Sequence, residues 1–323
     1  MGLKQLTPVC EITGGNKTAS TIQARLISCT VVDVSGVKSD SITIKIDAQG
    51  LDEWPATGQN IGCKMGYKED KALVSLGNFK LTRISETLYP NTMTITGTAA
   101  PFQKNDKTEF KKRRDRTWYN MSLGDVVKTI AKRHGFSSRI SADLSKLPIL
   151  HQDQANETDI TFLNRIASYH DAVCKLVDNQ LVFAKRGQVK SISGKTIKPV
   201  TVMHPQNNNP SSPAYVSATV SSSDKGKQKG IKAKWYDEKT AKEQVEQHGS
   251  APYQMLGKTY ESKEAAQSEI ESKKRKEIRL GEKLSMTCPG NSALLAEGVL
   301  KLEGFPVQRI AGRWSIDKVS HQY

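Results

Sequence analysis

The sequence predicts a β-rich α+β protein, in which two similar small β-barrel (tube) modules flank a mixed α/β domain. Three observations carry this expectation. Short period-2 segments fill both ends of the chain. Helical periodicity is strongest in the middle. One nine-residue pattern occurs twice, as Gly77-Asn78-Phe79-Lys80-Leu81-Thr82-Arg83-Ile84-Ser85 and as Gly312-Arg313-Trp314-Ser315-Ile316-Asp317-Lys318-Val319-Ser320. Each copy reads Gly, polar, aromatic, polar, aliphatic, polar, basic, β-branched, Ser, the alternation of a strand with one buried face. The expected domains are 1–100 (first tube module), 101–186 (mixed α/β) and 187–323 (second tube module with loops and inserted helices).

If the two copies are counterparts, Phe79 with Leu81, and Trp314 with Ile316, face the core of their own module. Ile84 and Val319 lie an odd step further on, so either a bulge intervenes or they face the other side. Two unrelated hairpins drawn from the same menu of strand residues are the alternative.

A chain of 323 residues has length for more than one domain and for a sizeable core. It is 37% hydrophobic, and no apolar run approaches a membrane span. Met1 to Thr7 lacks the apolar region and cleavage site of a signal peptide, so export by the general secretory route is not expected. The five cysteines, Cys10, Cys29, Cys63, Cys174 and Cys288, are scattered and never form a CxxC pair. They read as reduced, mostly buried thiols rather than a disulfide framework or a zinc site.

The formal charge of +15 invites a nucleic-acid reading. Its local support is the basic and aromatic run from Phe110 to Tyr119, with Lys273-Lys274-Arg275-Lys276 and the stretch from Lys225 to Lys234. No helix-turn-helix, zinc-finger or RNA-recognition signature accompanies them. Lys111 to Arg116 is therefore expected to be an exposed loop or a protein-docking patch.

Along the chain, Arg25 to Val34 and the alternating Ile42, Ile44 and Ile46 read as strands, as do Ile61 to Tyr67, the first repeat copy and Thr92 to Thr96. Ser122 can cap a helix with Asp125 in its first turn, with Leu123, Val126, Val127, Ile130 and Ala131 on one face and Gly135 at its end. A second helix starts at Thr158 or Asp159 and buries Ile160, Leu163, Ile166 and Ala167. Cys174 to Val177 and Leu181 to Ala184 then form a hairpin about Asp178-Asn179. Gln206 to Pro213 and Ser221 to Gly230 read as loops, with strands at Ala214 to Val220 and Ile231 to Trp235. Helices are expected at Glu238–Gln247 and Lys263–Lys276, and four or five strands between Lys283 and Gln322.

Chemistry is sparse. Glu157 and Asp159 could be taken for a catalytic carboxylate pair, but their place at a helix start favours capping and contact with the helix dipole. His134, His151 and His170 lack metal-binding spacing, and His134 reads as a cation near a helix C-terminus. No GxSxG, Walker or Rossmann pattern occurs. No catalytic, cofactor or metal site is expected.

The segment Gln154-x-x-Glu157-x-Asp159-x-x-Phe162-Leu163-x-Arg165-x-Ala167 resembles the signature of the phage late control protein D family. These are tail hub proteins of contractile phages, similar to the N-terminal part of the type VI secretion protein VgrG. Trp118, Ser122 to Val127, Ile130 to Gly135, Leu181 to Phe183, Ser39 to Ile44 and Trp314 to His321 agree in order. Asn156 and Thr158 depart from the more usual Glu and Ser. The resemblance implies a homotrimeric, pseudo-six-fold ring between a hexameric tail tube and a trimeric spike, without enzymatic activity, membrane or specific nucleic acid. Tape measure and baseplate wedge proteins are further candidate partners. The place it implies is the virion tail baseplate, with assembly in the host cytoplasm. The alternatives are a hub-associated cell-wall hydrolase and a basic DNA-binding regulator of late transcription.

Overall fold

The computed structural model describes residues 6–14, 17–36, 39–99, 112–177, 180–186, 198–204, 217–222, 230–305 and 310–323. In chain order the first elements are β1 (Pro8–Thr13), α1 (Lys17–Ala24), β2 (Leu26–Val34), β3 (Ser41–Asp47), β4 (Asn60–Tyr67), β5 (Val74–Thr87) and β6 (Thr92–Thr98). Next come β7 (Arg113–Ser122), α2 (Leu123–Arg133), β8 (Ser137–Ile140), α3 (Ala142–Ser145), β9 (Pro148–Thr158), α4 (Asp159–Tyr169), β10 (Ala172–Val177) and β11 (Gln180–Lys185). Then follow β12 (Val200–Met203), β13 (Ser217–Ser222), β14 (Gly230–Asp237), β15 (Lys242–Gly249), β16 (Tyr253–Tyr260) and α5 (Lys263–Gly281). The chain closes with β17 (Glu282–Thr287), β18 (Val299–Glu303), β19 (Gly312–Ser315) and β20 (Lys318–Gln322).

Two compact units result: Met1–Lys107 with Thr196–Ser217 and Met286–Tyr323, and Thr108–Lys195 with Ala218–Ser285. The segment expected as a third domain, 187–323, is divided between them. Its last strand, β20, joins β2, while α5 packs on β14.

The first unit is built on a seven-stranded sheet in the order β1-β4-β5-β6-β3-β2-β20. Ile42, Ile44 and Ile46 are fully buried, as the alternation of β3 requires, and pack with Phe79, Leu81, Met93 and Ile95. In a flat sheet β4 and β2, four strand spacings apart, would stand about 19 Å from each other. The Cys29 and Cys63 sulfurs are instead 3.9 Å apart, so the sheet curls until its ends meet across a common interior. Helix α1, which the alternation alone does not reveal, buries Ile22 and covers the free edge of β1. There Gln23 Oε1 accepts the Ile12 amide at 2.6 Å, filling a ladder position an edge strand leaves open.

The two repeat copies meet different ends. The first lies wholly within β5. Its ladder with β6 shifts register between Leu81 and Arg83, so Thr82 is an extra residue and Ile84 packs against the core. The second is not one strand. Gly312 to Ser315 form β19, at the edge of a three-stranded sheet ordered β12-β18-β19, and Lys318 starts β20 in the seven-stranded sheet. Between them Ile316 donates its amide to Gly298 O at 3.0 Å and accepts the Glu297 amide at 2.7 Å, while Asp317 O accepts the Ser35 amide at 2.8 Å. These bonds satisfy the backbone outside any ladder and let the chain pass from one sheet to the other. Trp314 is half-buried, its Nε1 donating to Ile310 O at 2.9 Å, and Ile316 and Val319 are half-buried as well.

In the second unit the basic run is not a loop. Arg113 to Ser122 form β7, paired antiparallel with β9; Lys111 lies outside the described residues. Helix α2 is capped by Ser122, whose hydroxyl accepts the Asp125 amide, and it buries the five apolar residues its periodicity marks. Thr158 caps α4, accepting the Thr161 amide at 3.2 Å. Both helices share a core with Trp118, Cys174, Leu181 and Phe183. Val177 pairs with Gln180, and Asp178-Asn179 lies outside the described residues. Another sheet, ordered β15-β14-β16, packs Ile231 and Ala233 against Ala266 and Ile270 of α5.

The helix expected at Glu238–Gln247 is absent. Residues 242–249 form β15, with Lys242 opposite Asp237 and Gly249 opposite Gly230. Helix propensity is a weak prior. Here the ladder overrides it, assisted by the Lys234–Glu243 ion pair at 3.1 Å.

Candidate functional site

The signature residues converge on one buried carboxylate. Asp159 opens α4 and is 1% exposed. Its Oδ1 accepts from Gln154 Nε2 at 2.8 Å and from Arg133 Nη1 at 2.9 Å. Its Oδ2 lies 2.8 Å from Arg133 Nη1, 2.8 Å from His134 Nε2 and 3.4 Å from Arg114 Nε. A carboxylate at the first turn of a helix and an arginine at the last turn of another both sit favourably in the helix dipoles. Asp159 thus ties the C-terminus of α2 to the N-terminus of α4 and to β7. Burial works to raise its carboxyl, but hydrogen bonds from His134, Gln154 and Arg133, with the Arg133 charge, outweigh this and hold it at about 2.

The remaining signature residues extend the node. Gln154 is buried and uses both ends of its amide, donating also to Glu157 O at 3.1 Å and accepting from Trp118 Nε1 at 3.3 Å. Trp118 stacks on Phe162 with centroids 5.8 Å apart, under the Arg116 guanidinium at 4.0 Å. Leu163 fills the core beside them. Glu157 is paired with Arg165, Nε to Oε1 at 3.0 Å and Nη2 to Oε2 at 3.0 Å. Arg165 Nη2 also donates to Asp153 O at 2.6 Å.

Asn156 takes φ +49, a left-handed conformation that asparagine tolerates better than most residues. There its amide donates to Asp115 Oδ1 at 2.7 Å, opposite the register shift between Arg114 and Arg116. The two carboxylates that could suggest acid–base chemistry are therefore engaged by cations. Of the other histidines, His151 is exposed and 3.1 Å from Asp153, while burial and the charges of Lys185, Lys258 and Arg275 hold His170 down at about 4.

A second cluster is not visible in the sequence spacing. Cys10, Cys29 and Cys63, from β1, β2 and β4, are buried with their sulfurs all within 4.8 Å of one another. Thiol hydrogen bonds, from Cys29 first and then Cys63, favour the thiolate on Cys10; contacts with Cys10 and Cys63 and burial raise Cys29, and the Cys10 contact with burial raises Cys63 against an opposing contact from Cys29. Spacing could not reveal this, because the curl of the sheet brings the three together. Among the described residues no helix is long and apolar enough to cross a membrane.

The model of the phage tail baseplate hub (GPD) family matches residues 110–323. A probable baseplate hub protein of Escherichia phage 186 is 30% identical over 226 residues, 70% of this chain and 55% of that protein. A probable baseplate hub protein of Escherichia phage P2 is matched over 54% of its length, so the matches span about half of these curated relatives. Among solved structures, a tail protein from Neisseria meningitidis MC58 superposes with a TM-score of 0.67 at 11% identity, over 98% of this chain and 92% of that one. The E. coli c3393 protein, a type VI secretion component, gives a TM-score of 0.53 at 10% identity, over 93% and 70% of the two chains. These structural likenesses establish a shared fold.

Proposed function

Since the chain belongs to the phage tail baseplate hub (GPD) family, we propose that it is a structural hub of a contractile tail or tail-like particle. Three copies form a ring that joins the hexameric tail tube to a trimeric spike. The observation that carries this reading is the family match across residues 110–323, which takes in the whole Asp159 node. Tape measure and baseplate wedge proteins are neighbours of such a ring.

The surface supports assembly. Leu88 and Tyr89, at the turn between β5 and β6, are 68% and 94% exposed. Edge strand β15 exposes nearly every residue, Val245 included. Free edges and exposed apolar side chains are features a neighbouring subunit covers. The pseudo-six-fold part of the proposal needs two similar β-surfaces per chain. Matching surfaces let heterologous contacts close.

The hub has no chemistry of its own in this reading, because Glu157 and Asp159 are held in ion pairs. Purified protein is expected to leave peptidoglycan suspensions turbid, and clearing abolished by Glu157→Gln would favour a hydrolase. Discrimination for any DNA sequence is expected below roughly 10³-fold at physiological salt. Weak salt-sensitive DNA binding follows from the charge of +15 alone. Light scattering on the chain mixed with its cognate spike tests the assembly. Three hub chains per complex are expected, and a stable complex with one or two would overturn the proposal.

A further inference from the structure

The thiol cluster in the seven-stranded sheet has the dimensions of a metal site. Cys63 Sγ lies 4.0 Å from Cys10 Sγ and 3.9 Å from Cys29 Sγ. Three sulfurs around one ion, each about 2.3 Å from it, form a planar triangle with edges of about 4.0 Å. Two edges match that triangle, and the third pair, Cys10 and Cys29, lies within 4.8 Å.

A disulfide between Cys10 and Cys63 fits less well. Cys10 is opposite Met65 and Cys63 is opposite Ile12, so these two cysteines are diagonal neighbours on paired strands. Diagonal Cα atoms stand about 7–8 Å apart, beyond the usual reach of a bridge.

The donor set is all sulfur. Among the described residues no histidine or carboxylate completes the group, and its surroundings are the apolar core of Ile12, Ile61 and Phe79. Hard cations seek oxygen, and zinc in a closed site takes four ligands. We propose that Cys10, Cys29 and Cys63 form a three-thiolate site for a soft closed-shell ion, and that Cu(I) is the ion it suits, since thiolates select it. Each copper–sulfur bond replaces a sulfur–hydrogen bond, and the protons pass to the buffer with no change of oxidation state. The complex keeps a net negative charge, which the apolar core opposes, so the three metal–sulfur bonds must outweigh that cost.

The role this gives the ion is a clasp. It would join β1 and β4, at one end of the sheet, to β2 near the other, fixing the curl from inside. This inference is independent of the hub reading.

Metal-free, reduced full-length protein incubated anaerobically with Cu(I) held by bicinchoninate tests it. One ion per chain is expected, with X-ray absorption giving three sulfurs at about 2.3 Å. Cys10→Ser and Cys63→Ser should weaken retention at least tenfold, whereas Cys174→Ala and Cys288→Ser should leave it unchanged. Circular dichroism identifies any variant that fails to fold, in which case the sulfur number of the unsubstituted protein decides. Retention below one ion per chain, two-sulfur coordination, or equal retention in folded Cys10→Ser would overturn the proposal and leave three thiols that only fill the core.

Discussion

Phe79 and Trp314 hold the same place in the same nine-residue pattern, yet only Phe79 is sealed in a core, at 1% exposure. The difference lies in what flanks them. Strand β5 runs for 14 residues between β4 and β6, and the curled sheet closes over its inner face. Strand β19 has four residues and, among the described residues, pairs with β18 alone, after which Ile316 exchanges backbone hydrogen bonds with Glu297 and Gly298 instead of a strand. Alternation specifies a strand and the face it prefers to bury. It does not specify how many neighbours will cover that face.

Truncating both aromatic side chains would break or sharpen this contrast. Phe79→Ala is expected to lose about 3–5 kcal/mol, as truncation of a filled core does. Trp314→Ala should lose roughly half as much, because part of its surface already meets water. Denaturant unfolding of both variants checks this, and equal losses would restore the repeat as two equivalent core positions.

The signature segment extends the contrast, since it holds its unit together by charge. Asp159 has a depressed carboxyl, so its stabilisation is complete above the unfolded value near 4 and fades as pH falls through about 2. The shift corresponds to roughly 2 kcal/mol. Asp159→Asn should be less stable than the unsubstituted protein at pH 7, and the gap should narrow between about pH 4 and 2. A gap that stays constant with pH would mean the carboxylate charge is not what the node uses.

A further test concerns what the copies share. Gly77 and Gly312 have φ of +119 and +122, a region that side chains strain to enter. An added Cβ would meet nothing closer than 3.5 Å at Gly77 and nothing within 4 Å at Gly312. Alanine at either position should therefore cost a similar, backbone-derived 1–3 kcal/mol, roughly. Losses differing by more than about 1 kcal/mol in thermal melts would show that the likeness stops at sequence.

Local signals were legible and long-range ones were not. Ser122 and Thr158 announce their helices because a cap acts within three residues, and Ile42, Ile44 and Ile46 announce β3 by period alone. The segment from Gln154 to Arg165 was recognisable as a signature, but its partners Arg114, Arg133 and His134 are distant in sequence. The buried, non-alternating Gln154 and the Arg133-His134 pair closing a helix were the available hints. Residues 238–247 read as helix because Lys, Glu and Gln favour it, and only pairing with β14 overrides them. The thiol triangle depends on sheet curl, which no local pattern encodes.

Position in a particle is what the hub reading finally asserts, and cryo-electron microscopy of the assembled tail tests it most directly. Three copies of this chain should form a ring between the last tube hexamer and the spike, with β15 and the β5–β6 turn covered by neighbours. Finding the chain absent from the particle, or present there as two or six equivalent copies, would contradict the account.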